Sequence, residues 1–311
     1  MVISRQDSIA GGLIGLLVGD ALGVPYEFHE PENLPSIFDL EFEPPQGFQR
    51  AHASVKPGTW SDDGAQALCL LASLLHCQKL EPEDLGNRFI NWYEHGYLAV
   101  DNHVFDVGIQ TANAIRKLMR GIPALEAGGT DEYAQGNGSL MRVLPLTLWH
   151  RGSDADLVQD AHDQSRVTHA HVIVQACCAL YCLWARRTLE NDLEPWNAAL
   201  ESLRAIYATQ PEYLYALKTG ILGKQNAPTR GTGYVIDCLF SAKWALEQGG
   251  FEIVVKAAIS LGHDTDTTAC VAGGIAGIRD GINAIPERWR SSLGGQVDLK
   301  PLLQDLLKLH S

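Results

Sequence analysis

The stretch SDDGAQALCLLASLLHC, residues 61–77, places two adjacent acids ahead of a run that is rich in Ala and Leu. Within this run, over 65–77, apolar residues recur at helical intervals, and both Ala and Leu favour the helix. The stretches 172–186, 234–246 and 271–278 have the same character. Several of them are apolar almost all round, which is typical of interior helices in a large bundle. The sequence therefore predicts an all-α fold.

Amphipathic spacing predicts four more helices, at residues 85–97, 107–118, 196–207 and 302–309. Alternating, strand-like stretches are nearly absent, which argues against a βαβ sheet. Because no change in composition marks a boundary, we expect residues 1–311 to form one domain.

Two long loops interrupt the helical pattern. The Pro-rich stretch 30–58 is expected to be an ordered surface excursion, with Phe38, Phe42 and Phe48 as its anchors. The second loop, 121–138, ends in a Gly-rich patch. We expect both loops to shape access to a site beside the acidic stretch.

Composition narrows the functional classes. With 46% hydrophobic and 20% charged residues, the chain has the make-up of a folded protein. Its net charge of −13 argues against nucleic-acid or anionic-membrane partners, because these require a basic face. The seven Cys lie mostly in apolar helical stretches without CxxC spacing, so we expect buried thiols and a cytoplasmic location.

The apolar run Ile9 to Gly19 resembles the hydrophobic part of a signal peptide, with Arg5 before it. Asp7 weakens the basic start, and Asp20 follows the run at once, so a buried first helix is favoured. We find no stretch that reaches the roughly 18 apolar residues of a membrane span.

Two clusters, SDD at 61–63 and DTDT at 264–267, combine carboxylates and hydroxyls without an internal Lys or Arg. Each cluster alone is explained by helix capping, yet each holds more acids than one helix end requires. Bringing them together costs several kcal/mol unless cations lie between them, and oxygen ligands suit Mg²⁺, Mn²⁺ or Ca²⁺. An EF-hand is excluded, since Ile275 occupies the twelfth position where a bidentate Glu belongs.

A third acidic element lies near the start of the chain. Gly15, Gly19 and Gly23 recur every four residues, a spacing that would let another helix or a ligand approach closely. Within this element Asp20 is interpreted as a structural acid. Glu27, which follows a proline, is better placed to face a cleft.

Three short motifs offer ligand contacts. The turn GNGS at 136–139 is either a tight turn or a nest of N–H groups for an anion, with Arg142 as a possible helper. In THAH, at 168–171, the two His do not share a helix face, so a zinc site is disfavoured and one His is expected to line a site. In GTGY, at 231–234, the aromatic ring suits stacking on a base.

Together these segments resemble the ADP-ribosylglycohydrolase family, which includes the dinitrogenase reductase-activating glycohydrolases and the ADP-ribosylarginine and ADP-ribosylserine hydrolases. The resemblance covers nearly the whole chain, because seven motifs occur in the order of the family. They are GDALGVPYEF (19–28), TWSDDGAQ (59–66), FDVGIQT (105–111), GNGSLMRVLPL (136–146), SRVTHAH (165–171), GTGY (231–234) and GHDTDTTACVAGGIAG (262–277).

The resemblance implies a single large orthogonal helical bundle with two Mg²⁺ or Mn²⁺ ions in a central cleft. The metal ligands that it implies are Ser61, Asp62, Asp63, Asp264, Asp266 and Thr267. The catalytic acids that it implies are Glu27 and Asp106. The residues that it implies for ADP-ribose binding are Gly136, Asn137, Gly138, Ser139, Met141, His169 and Tyr234.

The implied reaction is removal of ADP-ribose from a modified protein side chain, by attack of water at ribose C1″ over the two ions. Arginine is the favoured linkage because Asp106 is present. The alternatives are hydrolysis of a small ADP-ribose or nucleoside conjugate, and a non-catalytic ADP-ribose-binding protein. Gly64 and His263 depart from the family pattern, and His263 is expected to affect substrate choice rather than metal binding.

Overall fold

A computed structural model describes residues 3–310, and over these residues the chain forms fifteen α-helices and no β-strand. The prediction of an all-α fold is therefore confirmed. The first eight helices are α1 (Arg5–Gly23), α2 (Asp62–Cys77), α3 (Pro82–His95), α4 (Ile109–Leu118), α5 (Ala124–Ala127), α6 (Leu144–Trp149), α7 (Asp154–Arg166) and α8 (Val172–Leu189). The other seven are α9 (Pro195–Ile206), α10 (Pro211–Tyr215), α11 (Val235–Leu246), α12 (Phe251–Ile259), α13 (Thr265–Asp280), α14 (Glu287–Ser292) and α15 (Gln296–Lys308).

Helices α1 and α13 form the closest pair in the fold, and glycine makes their contact possible. A Cβ atom added at Gly19 would lie 2.1 Å from the carbonyl oxygen of Ala269, and one at Gly23 would lie 2.3 Å from Asp266 Cα. The predicted close approach at this glycine spacing is confirmed. It brings the C-terminal end of α1 against the first turn of α13.

The C-terminal end of α1 and the N-terminal ends of α2 and α13 meet at one place. Ser61 caps α2, since its Oγ accepts the backbone N–H of Asp63 at 3.3 Å. Helix α13 starts at Thr265, six residues before the predicted start. Asp266 therefore lies in the first turn of α13, where an acid interacts favourably with the helix dipole.

One hydrophobic cluster runs through the helices from Ile9 to Leu306. Six of the seven cysteines are buried in it as free thiols, and Cys77 is partly exposed. Nothing in these contacts tests the number of domains, so a single domain stays a prediction.

Two helical segments, Arg5–Tyr26 and Val172–Leu189, are long and apolar enough to cross a membrane, so the statement that no stretch reaches that length is wrong. All of the first segment's apolar window and 78% of the second's are buried inside the fold. A core helix of a soluble protein meets the same length and hydropathy criteria. The buried first helix is as expected.

The predicted excursion at 30–58 is largely irregular, with short 3₁₀ turns. Two of its three proposed anchors pack on the core, because Phe42 is buried and Phe48 is partly buried against the hydrophobic cluster. Phe38 is 80% exposed, so its role as an anchor is wrong. The second loop, 121–138, contains the short helix α5.

Candidate active site

The two acidic clusters, separated by about 200 residues in the chain, lie side by side in the fold. Thr267 Oγ1 donates a hydrogen bond to Asp63 Oδ1 at 3.3 Å. Both clusters stand on helix N-termini that point into one cleft with a volume of about 280 Å³. The residues that line this cleft are Glu27, Asp62, Asp63, Asp106, Gly108, Ile109, Gln110, Thr111, Gly136, Asn137, Gly138, Met141, His169, Asp264 and Thr267.

Burial and mutual repulsion strongly perturb these acids. Burial, followed by the charges of neighbouring carboxylates, raises the pKa values of Asp62, Asp63 and Asp266 well above 3.8. The same two causes raise the pKa of Glu27 to about 10 and that of Asp106 to about 6. Such a group of carboxylates is stable at neutral pH only if it holds protons or binds cations.

Two carboxylate oxygens in the cluster show where cations fit. Asp63 Oδ2 and Asp266 Oδ2 are buried and have no hydrogen-bond partner among the described residues. In addition, Glu27, Asp264 and Asp266 offer ligand atoms that all lie within 4.8 Å of one another. Buried, unpartnered carboxylate oxygens are costly, and oxygen donors suit hard divalent ions. The residues present therefore fit Mg²⁺ or Mn²⁺.

Arg142 is connected to the first acidic cluster through Gln66 and does not belong to an anion nest. It is fully buried, and it donates to Gln66 Oε1 at 2.8 Å and to the carbonyl oxygen of Gly138 at 3.3 Å. Gln66 in turn donates to Asp62 Oδ2 at 2.8 Å. The chain Arg142–Gln66–Asp62 orients a proposed metal ligand, so the suggested contact of Arg142 with an anion is wrong.

The Gly-rich turn at 136–138 forms one wall of the cleft. Asn137 Nδ2 donates to Asp264 Oδ2 at 2.7 Å, which joins the turn to the second acidic cluster. Gly138 lies under the ring of His169, since a Cβ atom there would be 2.8 Å from His169 Cε1. Burial lowers the pKa of His169 to about 3, so its imidazole is neutral. The structure thus brings the turn and His169 together with the acids.

Four predicted site residues are absent from the cleft lining, and one of them, Asp266, is fully buried behind it. Ser139 Oγ is fully buried, and it is bonded to Ser165 Oγ at 2.8 Å. The Tyr234 hydroxyl accepts a hydrogen bond from Lys224, and its ring borders a different cavity, although its backbone pairs with Gly136. Ser61 Oγ serves as the helix cap already described. Their assigned roles stay predictions.

His52 contacts two acids of the cleft, and the sequence interpretation missed it. Its Nε2 lies 2.6 Å from Glu27 Oε2 and 4.0 Å from Asp106 Oδ1. A single His within the irregular 30–58 excursion carries no spacing pattern that would single it out. Gln66 and Gln110 were missed for a similar reason, since a lone amide has no sequence signal.

The two departures from the family pattern have local explanations. A Cβ atom at Gly64 would lie 2.8 Å from Trp60 Cβ, and the Gly64 N–H donates to Asp20 Oδ2 at 2.8 Å. His263 has a positive φ of 59°, and its backbone pairs with Phe28 and His29 beside the cleft. His263 therefore braces the loop that carries Glu27, and its effect on substrate choice stays a prediction.

Comparison with known proteins identifies the family of the chain. The family model described as ADP-ribosylglycohydrolase matches residues 1–311. The chain is 30% identical over 306 residues to ADP-ribosylarginine hydrolase Tri1 of Pseudomonas putida (strain GB-1), covering 96% of this chain and 78% of that protein. It is 26% identical over 299 residues to ADP-ribosyl-[dinitrogen reductase] glycohydrolase of Rhodospirillum rubrum, covering 95% of this chain and 93% of the relative.

A solved structure, described as an ADP-ribosylglycohydrolase-related protein complex, has a TM-score of 0.77 and 32% identity to this chain. The similarity covers 99% of both chains. The all-helical fold and the sequence similarity thus extend over the same residues. Since the family model spans the chain from end to end, this protein belongs to the ADP-ribosylglycohydrolase family and is a glycohydrolase.

Proposed function

We propose that this enzyme removes ADP-ribose from modified protein side chains, with arginine linkages preferred, and that it depends on two Mg²⁺ or Mn²⁺ ions. The main support is a pair of buried carboxylate oxygens, Asp63 Oδ2 and Asp266 Oδ2, that have no hydrogen-bond partner within residues 3–310. Crowded carboxylates of this kind are expensive to keep unless they bind cations. The residues proposed to hold the ions are Ser61, Asp62, Asp63, Asp264, Asp266 and Thr267.

Bound divalent ions would supply positive charge that keeps the carboxylates ionised and polarises the ribose hydroxyls. The chain itself supplies the other functions. The turn at 136–138 offers its backbone to the diphosphate and ribose, and Met141 lies on the same wall. The neutral ring of His169 closes that wall without adding charge.

Glu27 or Asp106 acts as the general base. One of these carboxylates takes a proton from water as the water oxygen bonds to C1″ and the bond from C1″ to the side-chain nitrogen breaks. The electrons of the broken bond stay on the departing nitrogen, to which the proton is then transferred. The surrounding carboxylates stabilise the positive charge that develops on the ribose ring.

Two observations support arginine as the preferred linkage. The Asp106 side chain is 22% exposed and lines the cleft, where it can pair with a guanidine group in two-point contact. The relative from Pseudomonas putida is named an ADP-ribosylarginine hydrolase. A serine linkage offers no such cation, so Asp106 contributes less to it.

Turnover of arginine- and serine-linked ADP-ribosyl peptides, measured by release of ADP-ribose with Mg²⁺, Mn²⁺ or a chelator, tests the proposal. We expect cation-dependent release that is faster for the arginine peptide. Asp266→Asn should lower both cation affinity and kcat/KM by roughly 100-fold or more. The control is Asp305→Asn, an exposed acid on α15, which should behave as wild type.

Three results would count against the proposal. Full turnover by Asp266→Asn in chelator would rule out the metal assignment. Hydrolysis of free ADP-ribosylarginine but not of the peptide would favour the small-conjugate alternative. Calorimetric binding of ADP-ribose without turnover of any substrate would indicate a non-catalytic binder.

A further inference from the structure

His52 makes the shortest side-chain contact to the proposed base Glu27. Its Nε2 lies 2.6 Å from Glu27 Oε2, and the imidazole side chain is only 16% exposed. The same nitrogen is 4.0 Å from Asp106 Oδ1. One imidazole from the 30–58 excursion therefore lies between the two acids to which we assign the chemistry.

Two aromatic rings lie beside this imidazole. The His52 ring centroid is 5.6 Å from that of Phe28 and 5.0 Å from that of Phe105. Phe28 directly follows Glu27 in sequence, and Phe105 directly precedes Asp106. The two rings beside His52 thus belong to the same two loops as Glu27 and Asp106.

The backbone around this contact is constrained. Phe28, His52 and Asp106 have φ values of 63°, 48° and 56°, a left-handed region that costs energy for residues other than Gly. Phe28 is fixed by its N–H, which donates to the carbonyl oxygen of His263 at 2.7 Å. Three strained residues that converge on one carboxylate indicate a geometry that the rest of the fold enforces.

We propose that His52 is a positioning residue, which holds Glu27 by donating its Nε2–H to Oε2 and so leaves Oε1 directed at the attacking water. This inference rests on the proposed function, with Glu27 as general base. A carboxylate can rotate about its side-chain bonds, and one donor fixed by packing removes that freedom before substrate binds. His52 thereby orients the general base Glu27, as a third group orients the base in a nucleophile–base pair.

Three substitutions separate orientation from packing. His52→Phe keeps a ring between Phe28 and Phe105 but removes the donor, and His52→Gln keeps an N–H within reach of Glu27. His52→Asn tolerates positive φ, yet its shorter amide falls short of Glu27. The third variant provides an answer if a Phe at this φ fails to fold.

The readouts are kcat, KM and the melting temperature with saturating Mn²⁺. We expect His52→Phe and His52→Asn to lower kcat by about 10- to 100-fold with KM within about 2-fold, and His52→Gln to stay within about 3-fold of wild type. Melting temperatures should not follow this order. Wild-type kcat in His52→Phe or His52→Asn, or an equal loss in His52→Gln, overturns the inference.

A double-mutant cycle with Glu27→Gln distinguishes failure of this inference from failure of the proposed function. We expect Glu27→Gln to remove most activity and His52→Phe to add little further loss, because both act through one carboxylate. Absence of turnover by the wild-type enzyme refutes both ideas. Turnover that needs Glu27 but is indifferent to His52 refutes the positioning role alone.

Discussion

Asp20 on α1 accepts the backbone N–H of Ser61, at 2.9 Å from Oδ1, at the start of α2. Its Oδ2 also accepts the N–H of Gly64 at 2.8 Å. Helix N-termini leave such N–H groups without intrahelical partners, and here a buried carboxylate from another helix satisfies two of them. The interpretation of Asp20 as a structural acid is thus supported. One side chain fixes the orientation of the first acidic cluster relative to α1.

The acids of the cleft predict that cation binding stabilises the protein more as pH rises. Burial raises the pKa of Asp20 to about 7, and burial with nearby carboxylates raises that of Glu27 to about 10. Without cations, these two acids keep their protons in the folded protein at pH values above about 4.5, where the unfolded chain has lost them. The contribution of these acids to the free energy of unfolding therefore falls as pH rises. Bound cations would replace these protons.

The measurement is the melting temperature in chelator and in saturating Mg²⁺, at pH 6 and at pH 9. The increase caused by Mg²⁺ should be larger at pH 9. Buried His residues such as His162, whose pKa burial lowers to about 3, make the folded state more stable as pH rises to about 6.5. They act equally with and without Mg²⁺, so the difference between the two conditions isolates the cleft. An increase that shrinks with pH would contradict the prediction.

Replacement of Gly19 by Ala should strongly destabilise the fold. The added Cβ would lie 2.1 Å from the carbonyl oxygen of Ala269, so the backbones of α1 and α13 must separate. We expect the free energy of unfolding to fall by about 3 kcal/mol or more, measured by urea denaturation. In the control Gly223→Ala, the nearest atom to the new Cβ is 4.0 Å away, and its effect should lie within about 1 kcal/mol. Equal effects at the two positions would refute this account of the interface.

The helices that were predicted correctly are those whose pattern is local. The stretch 172–186 lies within α8, and 65–77 lies within α2. Helix α7 was missed because its sequence, DADLVQDAHDQSR, is mostly polar, and it depends on a Ser153 capping box and on tertiary packing. Helix α12 was missed because its short β-branched run, IVV, does not favour a helix by propensity.

The site was predictable where its residues occur in clusters. The acids at 62–63 and at 264 and 266 stand out in the sequence as clusters, and the fold places the two clusters in contact. His52 and Gln66 carry no such signal, because their roles come from contacts with Glu27 and Asp62 across the fold. Single polar residues acquire meaning only when the tertiary structure supplies the partner.

Gln66 should influence cation binding without touching the cations. In the variant Gln66→Met, Asp62 Oδ2 loses its 2.8 Å donor and Arg142 loses an acceptor, so the carboxylate is less well oriented. We expect cation affinity to fall by roughly 10-fold or more, as measured by titration calorimetry. The matched control is Gln159→Met, which removes an exposed amide-to-Asp163 bond at the same four-residue spacing.

Only the substitution of the buried Gln66 should change cation affinity, because water can replace the exposed hydrogen bond of Gln159. Unchanged cation affinity in Gln66→Met, with a normal circular dichroism spectrum, would show that Asp62 needs no orienting partner. A loss of folding in that variant is tested separately with Gln66→Glu, which preserves the acceptor for Arg142 but places a second carboxylate near Asp62.

Glu41 should tie the 30–58 excursion to the helical core. Arg288 binds its Oε1 through two nitrogens, at 2.9 and 3.1 Å. Partial burial raises the pKa of Glu41, but hydrogen bonds from Arg288 and Trp289 outweigh it, so the net pKa lies below 4.5. The stabilisation from the bonds of Glu41 to Arg288 and Trp289 is therefore present at neutral pH, and it is lost as pH falls below 4.5 and Glu41 takes up a proton.

Glu41→Gln should lower the free energy of unfolding by roughly 1 kcal/mol at pH 7, since the pair is partly exposed and solvent screens it. It should also speed proteolysis within 30–58 in the native state. In the control Glu43→Gln, the lost partner is Arg50 at 3.4 Å, and the Glu43 side chain is 67% exposed, so we expect little change. The Tyr26 hydroxyl donates to the carbonyl oxygen of Glu41 and accepts the N–H of Glu41. Since Tyr26 directly precedes Glu27, a loosened excursion should lower kcat as well. Identical proteolysis rates and kcat in both variants would show that Glu41 does not anchor this segment.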